Sequence, residues 1–178
     1  MIKDYFKAID NEEKAYFLGL VNKNDNFITC GLYTDFQILE ILSNFCSIQK
    51  KLYTIDINDP EIINYIRKAT LEFKNFNEEF KIVYLRGLYE STLANNIEIT
   101  DLIEMILDDI IDFIQMNEIR IKIIDFDNSK LITFYDINEK NKFLKIIYNS
   151  RSISILNENV KKLVLDYTYK NLYKIDYL

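Results

Sequence analysis

The chain predicts an α+β fold made of two related halves, and three observations lead there. Segments of helical and of strand-like apolar periodicity alternate along it. Their order restarts near residue 75, and letters recur together with order. Tyr16-Phe17-Leu18-Gly19-Leu20 is answered by Tyr84-Leu85-Arg86-Gly87-Leu88. Thr34-Asp35 is answered by Thr100-Asp101, and Asp56-Ile57-Asn58-Asp59 by Asp136-Ile137-Asn138-Glu139. Three matches in one order mark an internal duplication. With 178 residues, 49% of them apolar, the chain fits one medium domain or two very small halves sharing a core, and the lack of a low-complexity linker between the halves favours one joint domain. The expected organisation is a single domain with halves at about 1–74 and 75–150 and a C-terminal helical extension over 151–178.

In the first half, Asp10 followed by Glu13 reads as a capping box opening the helix EEKAYFLGLV, which stops at the polar cluster Asn22–Asn26. NFITCGLYT reads as a strand. Thr34-Asp35 caps the apolar helix DFQILEILSNF, and the strand KLYTIDI follows. Pro60 sits at the first position of the helix EIINYIRKAT, where a missing N–H costs least. In the second half, Asn77 precedes the helix NEEFKIVYLRGLYES, then the strand NIEIT. Thr100-Asp101 is expected to cap DLIEMILDDIIDFIQM. The strands EIRIKIIDF and KLITFYDI are joined by the turn Asp127-Asn128-Ser129, making this half longer by a hairpin. The helix NEKNKFLKIIYN and a last amphipathic helix at about 157–172 complete the chain.

Composition narrows the chemistry. Histidine is absent, which removes Ser–His and Cys–His nucleophile pairs and imidazole metal ligands together. Cys30 and Cys46 are too few for a disulfide scaffold and read as free thiols. The N-terminal stretch lacks a signal-peptide h-region, and no apolar run approaches the roughly 20 residues of a membrane span. The expected location is intracellular, in cytoplasm or nucleus, with no membrane partner. Abundant Ile, Asn, Lys and Tyr point to an A/T-rich gene. Net charge is −6 and unevenly spread: residues 78–139 hold fourteen acids against five bases, and residues 140–178 hold eight bases against three acids. Nucleic-acid binders usually carry a basic footprint, and only the C-terminal stretch offers one. Lys140, Lys142, Lys145, Arg151, Lys161 and Lys162 are therefore the candidate nucleic-acid contacts. The alternative for them is a solvated helix face.

The two glycine helices carry a family resemblance. Ala15-Tyr16-Phe17-Leu18-Gly19-Leu20-Val21-Asn22-Lys23-Asn24-Asp25 resembles the first motif of the LAGLIDADG homing endonucleases. Leu85-Arg86-Gly87-Leu88-Tyr89-Glu90-Ser91-Thr92 resembles the second. The likeness extends over essentially the whole chain. It implies that the two motif helices cross at a pseudo-twofold axis with their backbones nearly touching. Ala15 and Gly19 provide small residues on the first helix. Gly87 does so on the second, where Val83 stands in place of another small residue.

In that family the acid five residues after each motif glycine binds a divalent metal at the scissile phosphates. Here those positions hold Asn24 and Thr92, neither an acid. Asp25 and Glu90 are the nearest substitutes, but one residue along a helix turns a side chain by roughly 100°. The expectation is therefore a pseudoenzyme with no catalytic residues, no metal and no cofactor. The long DNA-reading hairpins of the family also look cut short. The reading is a degenerate homing-endonuclease-like chain reused as a protein- or nucleic-acid-binding module, with a protein partner favoured. One alternative is a divergent magnesium-dependent DNA endonuclease working through Asp25 and Glu90. A second is a structural component of a viral or other large particle.

Overall fold

A computed structural model describes residues 7–21, 27–29, 48–49, 54–56, 60–91, 96–100, 103–127 and 129–148. The first helix, α1 (Glu12–Val21), leads into β1 (Phe27–Thr29), β2 (Ile48–Gln49), β3 (Thr54–Asp56) and α2 (Pro60–Leu71). After a 3₁₀ turn come α3 (Glu78–Glu90), β4 (Ile97–Thr100), a second 3₁₀ turn, α4 (Leu107–Met116), β5 (Ile121–Phe126), β6 (Ser129–Phe134) and α5 (Ile137–Ile147). The helices expected at 35–45 and about 157–172 lie outside the described residues.

The duplication is plain in the sheets. Each is antiparallel and three-stranded, with the orders β1-β3-β2 and β4-β6-β5. In both, the strand after the motif helix forms one edge, the next strand the other, and the last fills the middle. The extra hairpin expected only in the second half therefore has a counterpart in the first, because β2 pairs Ile48 with Ile55 and Gln49 with Thr54. β2 is only two residues long and shows no alternation that could announce it.

Helix starts follow local chemistry, with two departures from expectation. Asn77 caps α3, its side-chain oxygen accepting from the Phe80 amide at 2.8 Å. Asn77→Ala is expected to cost about 1 kcal/mol, read as a lower urea midpoint at unchanged slope. At α1 the cap is Asn11, which accepts from the Lys14 amide at 2.9 Å. Asp10 instead forms an ion pair with Lys14 at 3.0 Å. The N-cap is thus displaced by one residue, and with Lys14 at the third helical position the expected capping box is not formed.

The second departure lies after β4. Asp101 and Leu102 lie outside the described residues; Glu104–Ile106 form the 3₁₀ turn, and α4 begins only at Leu107. The Ile103 amide donates to the Thr100 carbonyl at 3.0 Å, and the Ile106 amide to the Ile103 carbonyl at 3.1 Å. At about three residues per turn, this winding keeps Ile103 and Ile106 on one side. Both are buried, so core packing sets the local geometry here. Ser129, expected in the hairpin turn, is instead the first residue of β6, where it pairs with Phe126.

The core sits where α1 and α3 meet and where the second sheet covers α5. Tyr16, Leu18, Leu20, Val83, Tyr84, Leu85 and Leu88 are all buried. Phe73 packs against Tyr84 with ring centroids 5.1 Å apart, and Phe134 against Phe143 at 5.0 Å. Among the described residues, no helix is long and apolar enough to cross a membrane.

Candidate functional site at the helix crossing

The motif glycines lie where α1 and α3 cross. A Cβ placed on Gly19 would strike the carbonyl oxygen of Tyr84 and come within 2.8 Å of the Leu88 nitrogen. A Cβ on Gly87 would strike the carbonyl oxygen of Tyr16 and come within 2.9 Å of the Leu20 nitrogen. These contacts are mirror mates. Gly19 and Gly87, Tyr16 and Tyr84, and Leu20 and Leu88 each stand 68 residues apart (87 minus 19). A pseudo-twofold axis therefore runs between the glycines. Ala15 and Val83 are both fully buried on the same two helices. The crossing thus tolerates Val83 while giving each glycine no room for a side chain.

Arg86, next to Gly87, is fully buried and is the largest such side chain described. Its guanidinium lies 5.2 Å from the ring centre of Tyr16 on α1 and 5.2 Å from that of Tyr148 at the end of α5. It links three elements at the crossing. The Arg-Gly pair was visible in the sequence, but its letters carry no sign that the arginine would be buried.

From the crossing, α1 ends at Val21 and α3 at Glu90. Ser91 closes α3: its amide donates to the Gly87 carbonyl at 2.9 Å and its hydroxyl to the Leu88 carbonyl at 2.7 Å. Asn24, Asp25 and Thr92 lie outside the described residues, as does the side chain of Glu90. As donors, Asn24 and Thr92 bring only neutral oxygens. Magnesium prefers charged oxygen ligands, so this pair does not suit it. Among the described residues no group of three acids or thiols could hold a metal ion.

The opposite ends of the same helices carry acids. Asn11, Glu12, Glu13 and Phe80 line a shallow depression of about 360 Å³. Burial pushes the Glu12 carboxyl up, with a smaller push from the charge of Glu79. A phosphate would be repelled there.

Of the basic candidates, three can be placed, all on α5. Lys142 pairs with Glu139 at 3.1 Å and donates to the Glu118 carbonyl at 3.3 Å. Lys145 is exposed, and Lys140 is half-buried, with burial holding its pKa down. Arg151, Lys161 and Lys162 lie outside the described residues.

Glu139 is the centre of a clamp that composition gave no sign of. It is buried at the start of α5 and accepts from the Arg120 backbone amide at 2.8 Å and the Arg120 side chain at 3.2 Å. These bonds, the backbone one first, hold its carboxyl below the ordinary carboxylate range. A lowered acid pKa stabilises the fold above the unfolded-state value, and that stability is lost as pH falls through the folded value. Acid titration of stability should therefore show a loss below the ordinary carboxylate range. Glu139→Gln should be less stable at neutral pH and should flatten that acid limb.

The second sheet turns one face to the helices and one away. Register assigns Glu98, Lys122, Ile124, Phe126, Ser129, Leu131 and Thr133 to the outer face. Arg120 and Lys122 at one end both approach the Tyr135 ring, at 4.7 and 4.6 Å. Near the turn the face is apolar, with Ile124 and Phe126 exposed.

Two motif helices crossing glycine against glycine, each leading into a like-ordered antiparallel sheet, define the LAGLIDADG homing-endonuclease fold. No family model matches the chain, and no curated protein does. Solved structures do match. A mesophilic variant of the homing endonuclease I-DmoI aligns over 85% of this chain and 99% of its own, with TM-score 0.55 and 14% identity. An I-DmoI variant bound to its target DNA in the presence of manganese aligns over 84% and 97%, with TM-score 0.53 and 15% identity. Another, bound to its target DNA in the presence of magnesium, aligns over 84% and 98%, with TM-score 0.51 and 15% identity. At such identities the likeness establishes the fold.

Proposed function

We propose that this chain keeps the homing-endonuclease architecture as a binding module and does not cut DNA. One observation carries the reading. The glycine crossing that brings the two motif helices together is intact, yet the position five residues after each glycine is neutral, Asn24 and Thr92. Metal-assisted phosphodiester hydrolysis draws on a divalent ion to stabilise the attacking and leaving oxygens. Without paired anions to hold that ion, the architecture remains and the reaction does not.

A protein partner is favoured over nucleic acid. The outer sheet face offers Lys122, with Arg120 at its end, against Glu98, and it is apolar from the Ile124–Leu131 pair to Phe126 at the turn. A face that reads DNA needs cations for phosphates and polar groups for base edges. Apolar and aromatic groups suit a protein contact. The test is incubation of the purified chain with supercoiled plasmid and magnesium or manganese, beside gel retardation over a salt series. The plasmid should stay uncut and duplex binding should be weak. Cutting that disappears in Asp25→Asn would overturn the reading in favour of a divergent endonuclease. Strong salt-dependent retardation, lost with the C-terminal lysines, would replace the protein partner with nucleic acid.

A further inference from the structure

A strand at the edge of a sheet leaves backbone groups open on one side. In the order β4-β6-β5, β5 has β6 on one side and, among the described residues, no strand on the other. The ladder fixes which groups are open. The Tyr135 amide donates to the Arg120 carbonyl at 3.0 Å, so residues 120 and 135 form a hydrogen-bonded pair. Such pairs recur every second residue of an antiparallel ladder, which assigns Lys122, Ile124 and Phe126 to bonding with β6. The amides and carbonyls of Ile121, Ile123 and Asp125 point the other way. The six residues keep continuous register and contain no proline.

Side-chain exposure puts the missing cover beside the strand. Ile123 faces the helices in a row with Ile97 and Ile132. Those two are fully buried, yet Ile123 is 43% exposed. On the opposite face Ile124 and Phe126 are 44% and 58% exposed. An element lying over one face would cover only one of these sets. A strand added at the edge would flank both.

We propose that this strand is β5 of a second copy of the chain, added antiparallel about a two-fold axis normal to the sheet. Such an axis keeps each sheet face on its own side, so only residues of the same face can stand opposite each other. Centring it on Ile124 meets that condition. Ile124 then faces Ile124, Lys122 faces Phe126, and the outward amides of Ile123 and Asp125 bond one another across the axis. The Ile124 pair is of the non-hydrogen-bonded kind, in which side chains approach closest. The Lys122 ammonium meets an aromatic ring, and no like charges stand opposite. The strand is complementary to itself, so no further component is needed. A single strand pair buries less than the roughly 1,600 Å² of a standard interface, so association depends on concentration. The inference is independent of whether the chain cuts DNA.

Sedimentation equilibrium of the full chain tests it, from micromolar to millimolar concentration. The mean mass should rise towards twice that of the monomer. Ile123→Pro removes an amide that β6 does not use, at an edge position where proline is tolerated. It should abolish the rise while leaving the thermal midpoint of the dilute chain essentially unchanged. In a background of Cys30→Ser and Cys46→Ser, Ile124→Cys should oxidise to a disulfide-linked dimer, and Phe126→Cys should not. A chain that stays monomeric at millimolar concentration overturns the proposal. So does a dimer that survives Ile123→Pro, or one that cross-links equally well through Phe126→Cys.

Discussion

Gly19→Ala should destabilise the protein by at least about 3 kcal/mol, at the upper end of the cost of overpacking a core. Local propensity argues the other way, because alanine in a helix interior is better than glycine by about 1 kcal/mol. The clash prevails because the new Cβ would meet the Tyr84 carbonyl oxygen and the Leu88 nitrogen, which are backbone atoms. No rotamer change can move them. The helices must part, and the buried layer of Tyr16, Leu20, Tyr84 and Leu88 loosens with them. For a chain of this size the thermal midpoint should fall by roughly 6–12 °C. Gly87→Ala should behave alike, since it meets Tyr16 and Leu20 in the same way. The double variant should cost less than the sum, by about 0.5–3 kcal/mol, because the first substitution opens the gap that the second needs. A midpoint raised by either alanine would mean that the backbones are not in contact.

Arg86→Ala should cost about 3–5 kcal/mol, the range for truncating a large buried side chain and leaving a cavity. The side chain is wholly buried, and its guanidinium lies over two rings from different elements. Truncation removes both ring contacts and the packing of the long stem. Arg86→Met keeps much of that stem and removes the charge, and it should lose only about 1–2 kcal/mol, since burying a charge is itself costly. Chemical denaturation of the three proteins separates the terms. Equal losses for Met and Ala would place the whole effect in the charge.

Much of this fold could be read from the letters. Asn77, Pro60 and the two glycines announced helix starts and the crossing, because each acts through its own backbone or its nearest turn. The duplication was legible for the same reason. Features decided by competition between neighbouring residues, or by distant contacts, were not. Asp10 and Asn11 are adjacent and equally able to cap, and the ion pair of Asp10 with Lys14 leaves the capping to Asn11. The late start of α4 follows from burying Ile103 and Ile106 together. β2 exists only through its pairing with β3. The clamp at Glu139 joins residues nineteen positions apart, a span over which no local pattern operates. At the helix tips the sequence spoke through what it lacks: neutral side chains at the two positions where the resemblance implies acids.

Whether those tips hold a divalent ion is the most direct question to put to this chain. Manganese titrated into the protein and followed by electron paramagnetic resonance counts bound ions in solution. The free-ion signal is expected to rise in proportion to added manganese, with no stoichiometric site. One tightly bound ion per chain, lost on Asp25→Asn or Glu90→Gln, would contradict the account.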